Sequence, residues 1–450
     1  MQHPSRPSIL FVDLCAATIR RRALPFSHDV DLGGRGLAGS FPPAGPGLAW
    51  DAPETAICFF PGRLAGVDLP GAGHLSVAFL SPRTGGAAHA AIGGHLAWAL
   101  ARADLAGVVV TGRSAGPVGL VIRDREAGLV DAGALWGRPT EEIFAALDGH
   151  DGVACIGPAA VAGSPLATLA VDRRHTSGRA GLGLALAVKN LLFLTASGHG
   201  QIAVADPDGL HTARVAMERL IAASPALSGA CGFARHGTAA LLDLTSGRRM
   251  LPTANFRRTF FGPAASVNAP SLGAAFGATG EACPGCPVDC LRRTADGRLL
   301  PDVDALSHFT ALLELADPEL AVAACALCRS AGLDAAGAAA TLACLAEITG
   351  EALTPQRVLG LLAAMATGEG AGRELSLGAA AYARRHGRPE AAMCVKGLEL
   401  PAFDPRGAYG LALSLAVLPG GPDPWGAGCL AHEILRKPVA TDRFTFEGKA

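Results

Sequence analysis

The chain has 450 residues, 50% of them hydrophobic and 17% charged, which supplies a large buried core and excludes wholesale disorder. Its net charge of −1 leaves no basic surplus to neutralise a run of phosphates or to hold an anionic membrane, so nucleic acid is not expected as a partner. Twelve cysteines are too sparse for a disulfide scaffold. The opening Met1 to Leu14 lacks the basic-then-apolar order of a secretory signal, and apolar stretches such as Tyr409 to Gly420 break well short of the roughly 18 residues a membrane span needs. The expectation is a cytoplasmic protein with no membrane contact.

Short aliphatic and β-branched runs, punctuated by glycine and proline, fill the first part of the chain. They begin at Ser8, Thr55, Leu75, Gly107, Val118, Ala154 and Leu191, with a helix expected over Gly93 to Leu105. After Asp206 to Asp208 a helical period sets in, and the Ala- and Leu-rich stretch from Ala311 to Gly350 reads as two or more closely packed helices. The expected class is α+β: a sheet-rich domain over 1–205, a helical domain over 206–390, and a last helical domain over 391–450 that reads as truncated.

The strongest local signal is Cys283-Pro284-Gly285-Cys286-Pro287-Val288-Asp289-Cys290, three thiols at C-x2-C-x3-C spacing in a proline-stiffened loop. Three thiolates so spaced can each take one iron of an iron–sulfur cluster. Zinc with a remote fourth ligand and unligated buried thiols are the competing readings, and the spacing favours the cluster. A second signal is a set of glycine turns, including Gly33 to Gly36, Gly71 to Gly73, Thr84 to Gly86, Gly93-Gly94 and Gly178-Arg179-Ala180-Gly181-Leu182-Gly183. Such turns let backbone N–H groups approach phosphate, and a neighbouring arginine adds a bidentate partner. Taken singly, each is also explained by sheet connection alone. No GxGxxG with a following acidic residue supports a Rossmann reading.

In order along the chain, DLGGRGLAGSF, SPRTGG, RHTSGRAGLGLALAVKNL, CPGCPVDC, the Gly332-Leu333-Asp334 triplet and VKGLELPAFDPRGAYG resemble the tungsten-containing aldehyde ferredoxin oxidoreductase family. The resemblance spans nearly the whole chain. It implies a sheet domain that forms a saddle under two pterins, helical domains that close over them, and a tungsten or molybdenum bis-pterin beside a [4Fe-4S] cluster. The implied chemistry converts an aldehyde to a carboxylate, with two electrons leaving through the cluster to ferredoxin or a similar carrier. Cys283, Cys286 and Cys290 match three of the four family cluster ligands. Gly178, Arg179, Gly181 and Gly183 match the pterin-domain turn, and Gly332, Leu333 and Asp334 match the first D-x-x-G-L pterin motif. The acidic residue near the metal falls at Asp304, and the arginine between cluster and pterin falls at His74.

The departures from the family pattern are specific. Arg329 stands where the first pterin motif has its leading Asp, which replaces a hydrogen-bond acceptor with a donor. The late histidine of the family falls near Pro424, which carries no imidazole, while His432 lies eight residues on. The fourth cluster cysteine and the second pterin motif belong to a segment beyond residue 450. Cys325, Cys328, Cys344, Cys394 and Cys429 are candidates for a replacement ligand. The expectation is therefore an aldehyde-oxidising enzyme, reduced in size or completed by a separately encoded C-terminal chain, with room for a homo-oligomer. The alternative is a non-catalytic paralogue, cluster-bearing or merely structural. A third reading is a zinc-stabilised binding module.

Overall fold

The computed structural model describes residues 8–23, 33–39, 41 and 47–447; Asp31, Leu32 and Ser40 of the first glycine-rich run, like the last three residues, lie outside the described set. The chain divides into two compact units. One comprises Met1–Ile221, Ala282–Pro287 and Arg329–Leu333, and the other Ala222–Glu281, Val288–Cys328 and Asp334–Ala450.

The first unit is built on two six-stranded sheets. Strands β1 (Ser8–Asp13), β2 (Thr18–Ala23), β3 (Ile57–Pro61), β4 (Leu75–Leu80), β5 (Ala87–Ile92) and β6 (Leu105–Thr111) run in the order β2-β1-β6-β3-β4-β5. The pair β1 with β6 is parallel, and its neighbours are antiparallel. Strand β3 is buried along its whole length, with Phe59 and Phe60 at 1% and 0% exposure. By contrast β2 carries Arg20, Arg21 and Arg22 on a largely exposed edge, where charge blunts edge-to-edge pairing.

The second sheet contains β7 (Val118–Arg123), β8 (Glu126–Asp131), β9 (Gly152–Ile156), β10 (Leu169–Val171), β11 (His175–Thr176) and β12 (Leu191–Ser197), ordered β11-β10-β9-β12-β7-β8. The helix Leu96–Arg102 packs on β3 and β6 of one sheet and on β9 and β12 of the other through Leu96, Ala97, Ala99 and Leu100. It begins three residues later than the sequence suggests, because Gly94 takes φ +134°, outside the helical region.

Helices dominate the second unit. Ala335–Thr349 packs against Val303–Phe309 and Ala379–Arg385, its run of alanines permitting close approach. Pro355–Thr367 starts at an N-cap, with Thr354 Oγ1 accepting from Arg357 N, and stops at Gly368 in the left-handed region. A core of Leu241, Met250, Val303, Phe403, Leu411, Leu415, Leu430 and Ile434 joins the early and late parts of this unit. Residues 391–450 lie in the same unit as the helices before them. No helix among the described residues is long and apolar enough to cross a membrane.

Candidate cofactor site in the sheet unit

Two glycine turns far apart in sequence meet in the first unit. Ser81 Oγ donates to Ala180 O at 2.8 Å, and Arg83 Nη1 donates to Arg179 O at 3.1 Å, so the Ser81 turn grips the backbone between Gly178 and Gly181. Ser81 Oγ also accepts from the amides of Arg83 and Thr84, which fixes the turn itself. A side chain at Gly181 is doubly forbidden: φ is +80°, and a Cβ would stand 2.7 Å from Pro82 and 2.8 Å from Pro165 O. Gly183 packs equally tightly, against the backbone of Ala167 and Thr168. Gly178, at φ +75°, has nothing within 4 Å of a Cβ position, so its backbone stands open to a ligand. That open, glycine-lined backbone fits a flat polar group such as a pterin.

The Arg329–Leu333 segment follows helical sequence yet belongs to the sheet unit. Thr168 N donates to Gly332 O at 2.8 Å, and Leu333 bridges Ala167 in antiparallel register. Gly332 has φ +64°, and a Cβ there would lie 2.7 Å from Gly157 N, so a close backbone crossing requires glycine at this point. Arg329 Nη1 donates to Arg174 O at 2.9 Å, and Arg329 O accepts from Thr140 Oγ1 at 2.9 Å. The arginine that stands in an acidic motif position is thus bound to backbone. Asp334 is the N-cap residue of Ala335–Thr349 and is 8% exposed.

The cysteine turn also joins this unit as far as Pro287. Cys286 N donates to Cys283 O at 3.1 Å across Gly285, which takes φ +68°. Gly285 sits against Asp68 and Leu69, 3.0 Å separating its Cβ position from Asp68 Oδ1. Cys283 Sγ lies 3.3 Å from His175 Nε2, and both Cys283 and Cys286 are half-buried. His74, five residues beyond Leu69, is exposed, with its Nδ1 3.0 Å from Gly71 O. A cleft of about 420 Å³ opens beside this loop, lined by Val67, Asp68, Arg102, His199 and Ile202 among others.

Cys290 falls in the second unit, where its amide donates to Val288 O at 2.7 Å. Among the described residues no three His, Cys, Asp or Glu side chains stand close enough together to hold a metal ion. In donor type and sequence spacing the three thiols fit an iron–sulfur cluster, one thiolate short of four. Cys325 and Cys328, at 2% and 0% exposure, lie at buried positions of the alanine-rich helix Pro318–Ala331. Burial pushes the Cys344 thiol up to about 12, and its Sγ donates to Ala379 O. All three behave as small core residues. Cys394 and Cys429 are half-buried in the second unit.

Asp304 lies in the first turn of Val303–Phe309, half-buried, and its Oδ1 accepts from Ala402 N at 2.8 Å. One turn on, His308 Nε2 is 3.1 Å from Leu400 O, so the two residues clamp the Leu400–Ala402 backbone together. His432 sits on the π-helical turn Leu430–Leu435, half-buried, with Nδ1 2.9 Å from Val439 O.

The residues around the cysteine turn that sequence reasoning passed over are Asp172, Arg174, His175 and His95. Arg174 and His175 open the RHTSGRAGLGLALAVKNL stretch that resembles the family, but the stretch by itself assigns them no partner. Burial raises the Asp172 carboxyl, opposed by three backbone N–H donors from Val153, His95 and Leu96. Asp172 thereby ties β9 and the start of the Leu96–Arg102 helix to the turn between β10 and β11.

Residues 9–198 match the family model of the aldehyde ferredoxin oxidoreductase N-terminal domain, and residues 212–450 match that of its domains 2 and 3. Tungsten-containing aldehyde ferredoxin oxidoreductases of Thermococcus kodakarensis and Pyrococcus furiosus are 29% and 28% identical over 422 and 421 residues, 87% of this chain and 68% of each relative. Among solved structures, the active-site complex BamBC of benzoyl coenzyme A reductase with 1,5-dienoyl-CoA has the same fold. Its TM-score is 0.78 at 22% identity, covering 89% of this chain and 66% of that one. The chain thus spans about two thirds of the length of the relatives it matches. By sequence over almost its full length and by fold, the chain belongs to the aldehyde ferredoxin oxidoreductase family.

Proposed function

We propose that this protein oxidises an aldehyde to a carboxylate at a tungsten or molybdenum bis-pterin. Water supplies the added oxygen, and three protons and two electrons leave, the electrons through a [4Fe-4S] cluster to ferredoxin or a similar carrier. The observation that carries the reading is the gathering, in one unit, of the Gly178–Gly183 turn, the Ser81 turn, Arg329–Leu333 and the Cys283–Cys286 turn from four distant parts of the sequence. When bound, the bis-pterin metal would supply the oxygen-atom transfer and the electron sink. Gly178 and its neighbours would offer open backbone to the pterin, with Arg179 beside it, and Gly332, Leu333 and Asp334 would flank it. Cys283, Cys286 and Cys290 would hold iron, and His74 would stand between cluster and pterin. Asp304 would act as the carboxylate near the reacting carbon, orienting water or taking a proton. The protein would work in the cytoplasm.

A second reading, a paralogue that keeps the fold without turnover, has its own support. Arg329 is spent on Arg174 O, and Asp304 already accepts from Ala402 N. Aldehyde-dependent reduction of a viologen dye by anaerobically purified protein separates the two readings. Turnover that disappears in Asp304→Asn supports the enzyme, whereas no turnover with any aldehyde, in a protein that carries tungsten or molybdenum, supports the paralogue.

A further inference from the structure

Two consecutive residues of β11 and the turn before it hold two consecutive residues of the cysteine turn. Arg174 Nη1 donates to Ala282 O at 3.0 Å, and His175 Nε2 stands 3.3 Å from Cys283 Sγ. The hold is built from behind. Asp172 Oδ1 accepts from Val153 N at 2.8 Å, and its Oδ2 accepts from His95 N at 2.5 Å and Leu96 N at 3.2 Å. Asp172 and Arg173, in the turn before β11, take φ +54° and +58°, a left-handed conformation that non-glycine residues rarely adopt. Arg329 fixes Arg174 O, His95 Nε2 lies 3.2 Å from Arg174 Nη1, and the antiparallel pair Val171 with His175 sets the register. Gly93 completes the socket, since a Cβ there would stand 3.2 Å from the imidazole ring.

The 3.3 Å separation has a chemical meaning once Cys283 carries iron. Ligands bound to different irons of a cluster stand much farther apart, so His175 is not placed as a ligand of its own iron beside this thiolate. The distance is that of an N–H donated to sulfur. A hydrogen bond to a ligating sulfur stabilises the more negative, reduced cluster and so raises its potential.

We infer that His175 is a positioning residue of the cluster: its Nε2–H donates to the Cys283 thiolate, fixing that ligand and raising the reduction potential. The inference rests on the cluster reading given above. It is tested by potentiometric titration of anaerobically purified full-length protein, wild type against His175→Gln and His175→Leu, with iron content measured on each. Gln keeps an N–H donor and Leu does not. Leu is expected to disfavour the reduced state about tenfold, about 59 mV for one electron, with Gln close to wild type. Equal potentials in all three iron-loaded proteins would overturn the inference and leave the cluster reading standing. Wild type without iron would overturn both. Should Leu fail to hold iron, wild type labelled with 15N-histidine decides: a weak nitrogen coupling to the reduced cluster supports the hydrogen bond. No coupling, or one strong enough for direct ligation, refutes it.

Discussion

Two stretches carry much of the family signature, and they use their polar side chains differently. Around the cysteine turn, Arg174, His175, Ser81 and Arg83 reach across the chain to hold loops, and the loops keep open backbone at Gly178 and half-buried sulfur at Cys283 and Cys286. Around residues 399–406 of the second unit the acidic side chains are turned inward onto the protein's own amides and arginine. Glu399 accepts from Ala379 N, Asp404 accepts from Arg406, and Asp304 accepts from Ala402 N. Dense motif residues therefore hold loops around open backbone in one place and brace a scaffold in the other. Asp304 is the residue on which the two descriptions meet.

The sharpest test of that comparison is Asp304→Asn. An Asn oxygen still accepts from Ala402 N, so stability should change by less than about 1 kcal/mol in urea unfolding. If the carboxylate also serves catalysis, aldehyde turnover should fall by about 10²–10⁴-fold, the range for a lost general base. Unchanged turnover would assign Asp304 wholly to the scaffold.

Next in size is Asp404→Ala. Asp404 is fully buried, and its carboxylate takes the Arg406 amide, Nε and Nη2, the last at 2.5 Å, while Arg406 Nη2 also donates to Phe256 O at 2.6 Å. Removing the acid leaves a guanidinium that is 57% exposed and can be hydrated, so the cost is that of the lost charged hydrogen bonds, about 1–3 kcal/mol, seen as a lower urea midpoint for the second unit with the cluster absorbance of the protein retained. A loss of cluster without a loss of stability would contradict the scaffold assignment.

On the other side of the comparison stands Gly181→Ala. The left-handed φ and the contacts with Pro82 and Pro165 O predict a penalty of about 1–3 kcal/mol confined to the first unit. Tungsten or molybdenum content should fall with it. Full metal content in this variant would separate the turn from cofactor binding.

The smallest expected effect concerns Lys189, which is 2% exposed and donates from Nζ to Pro53 O and Gly112 O. Burial, reinforced by the Arg113 charge, pushes its ammonium down from 10.5 to about 8. Between these two values the unfolded chain binds a proton that the folded chain lacks, so this group makes stability rise with pH from about 8 to 10.5. Urea unfolding of wild type and Lys189→Met at pH 8 and pH 10 should show a steeper rise in wild type; parallel behaviour would remove the group from the pH dependence.

The strands were legible because aliphatic runs bounded by glycine and proline have few alternatives, and the helix Leu96–Arg102 was misjudged only at its ends, where Gly94 leaves helical geometry. The glycine turns were legible as turns, but their pairing was not. The bond from Ser81 to Ala180 spans 99 residues, and no local pattern encodes it. The same holds for Ala282–Pro287 and Arg329–Leu333. Their neighbours read as helical sequence, and a backbone crossing at Gly157 with Gly332 places the second of them in the sheet unit. Arg329 was visible as an oddity of charge, while its partner Arg174 O could be found only in the fold. The buried Glu433, whose two oxygens accept from Gly410 N and Leu411 N at the start of Tyr409–Val417, had no sequence signal beyond an acid in an apolar run.

The central claim is that the sheet unit holds a pterin-bound metal beside iron. Elemental analysis of anaerobically purified protein for iron, tungsten, molybdenum and zinc, with an absorption spectrum on the same sample, tests it most directly. The account predicts iron approaching about four per chain, a brown spectrum, and tungsten or molybdenum near one. Zinc in place of iron, or a colourless protein with neither metal, would contradict it.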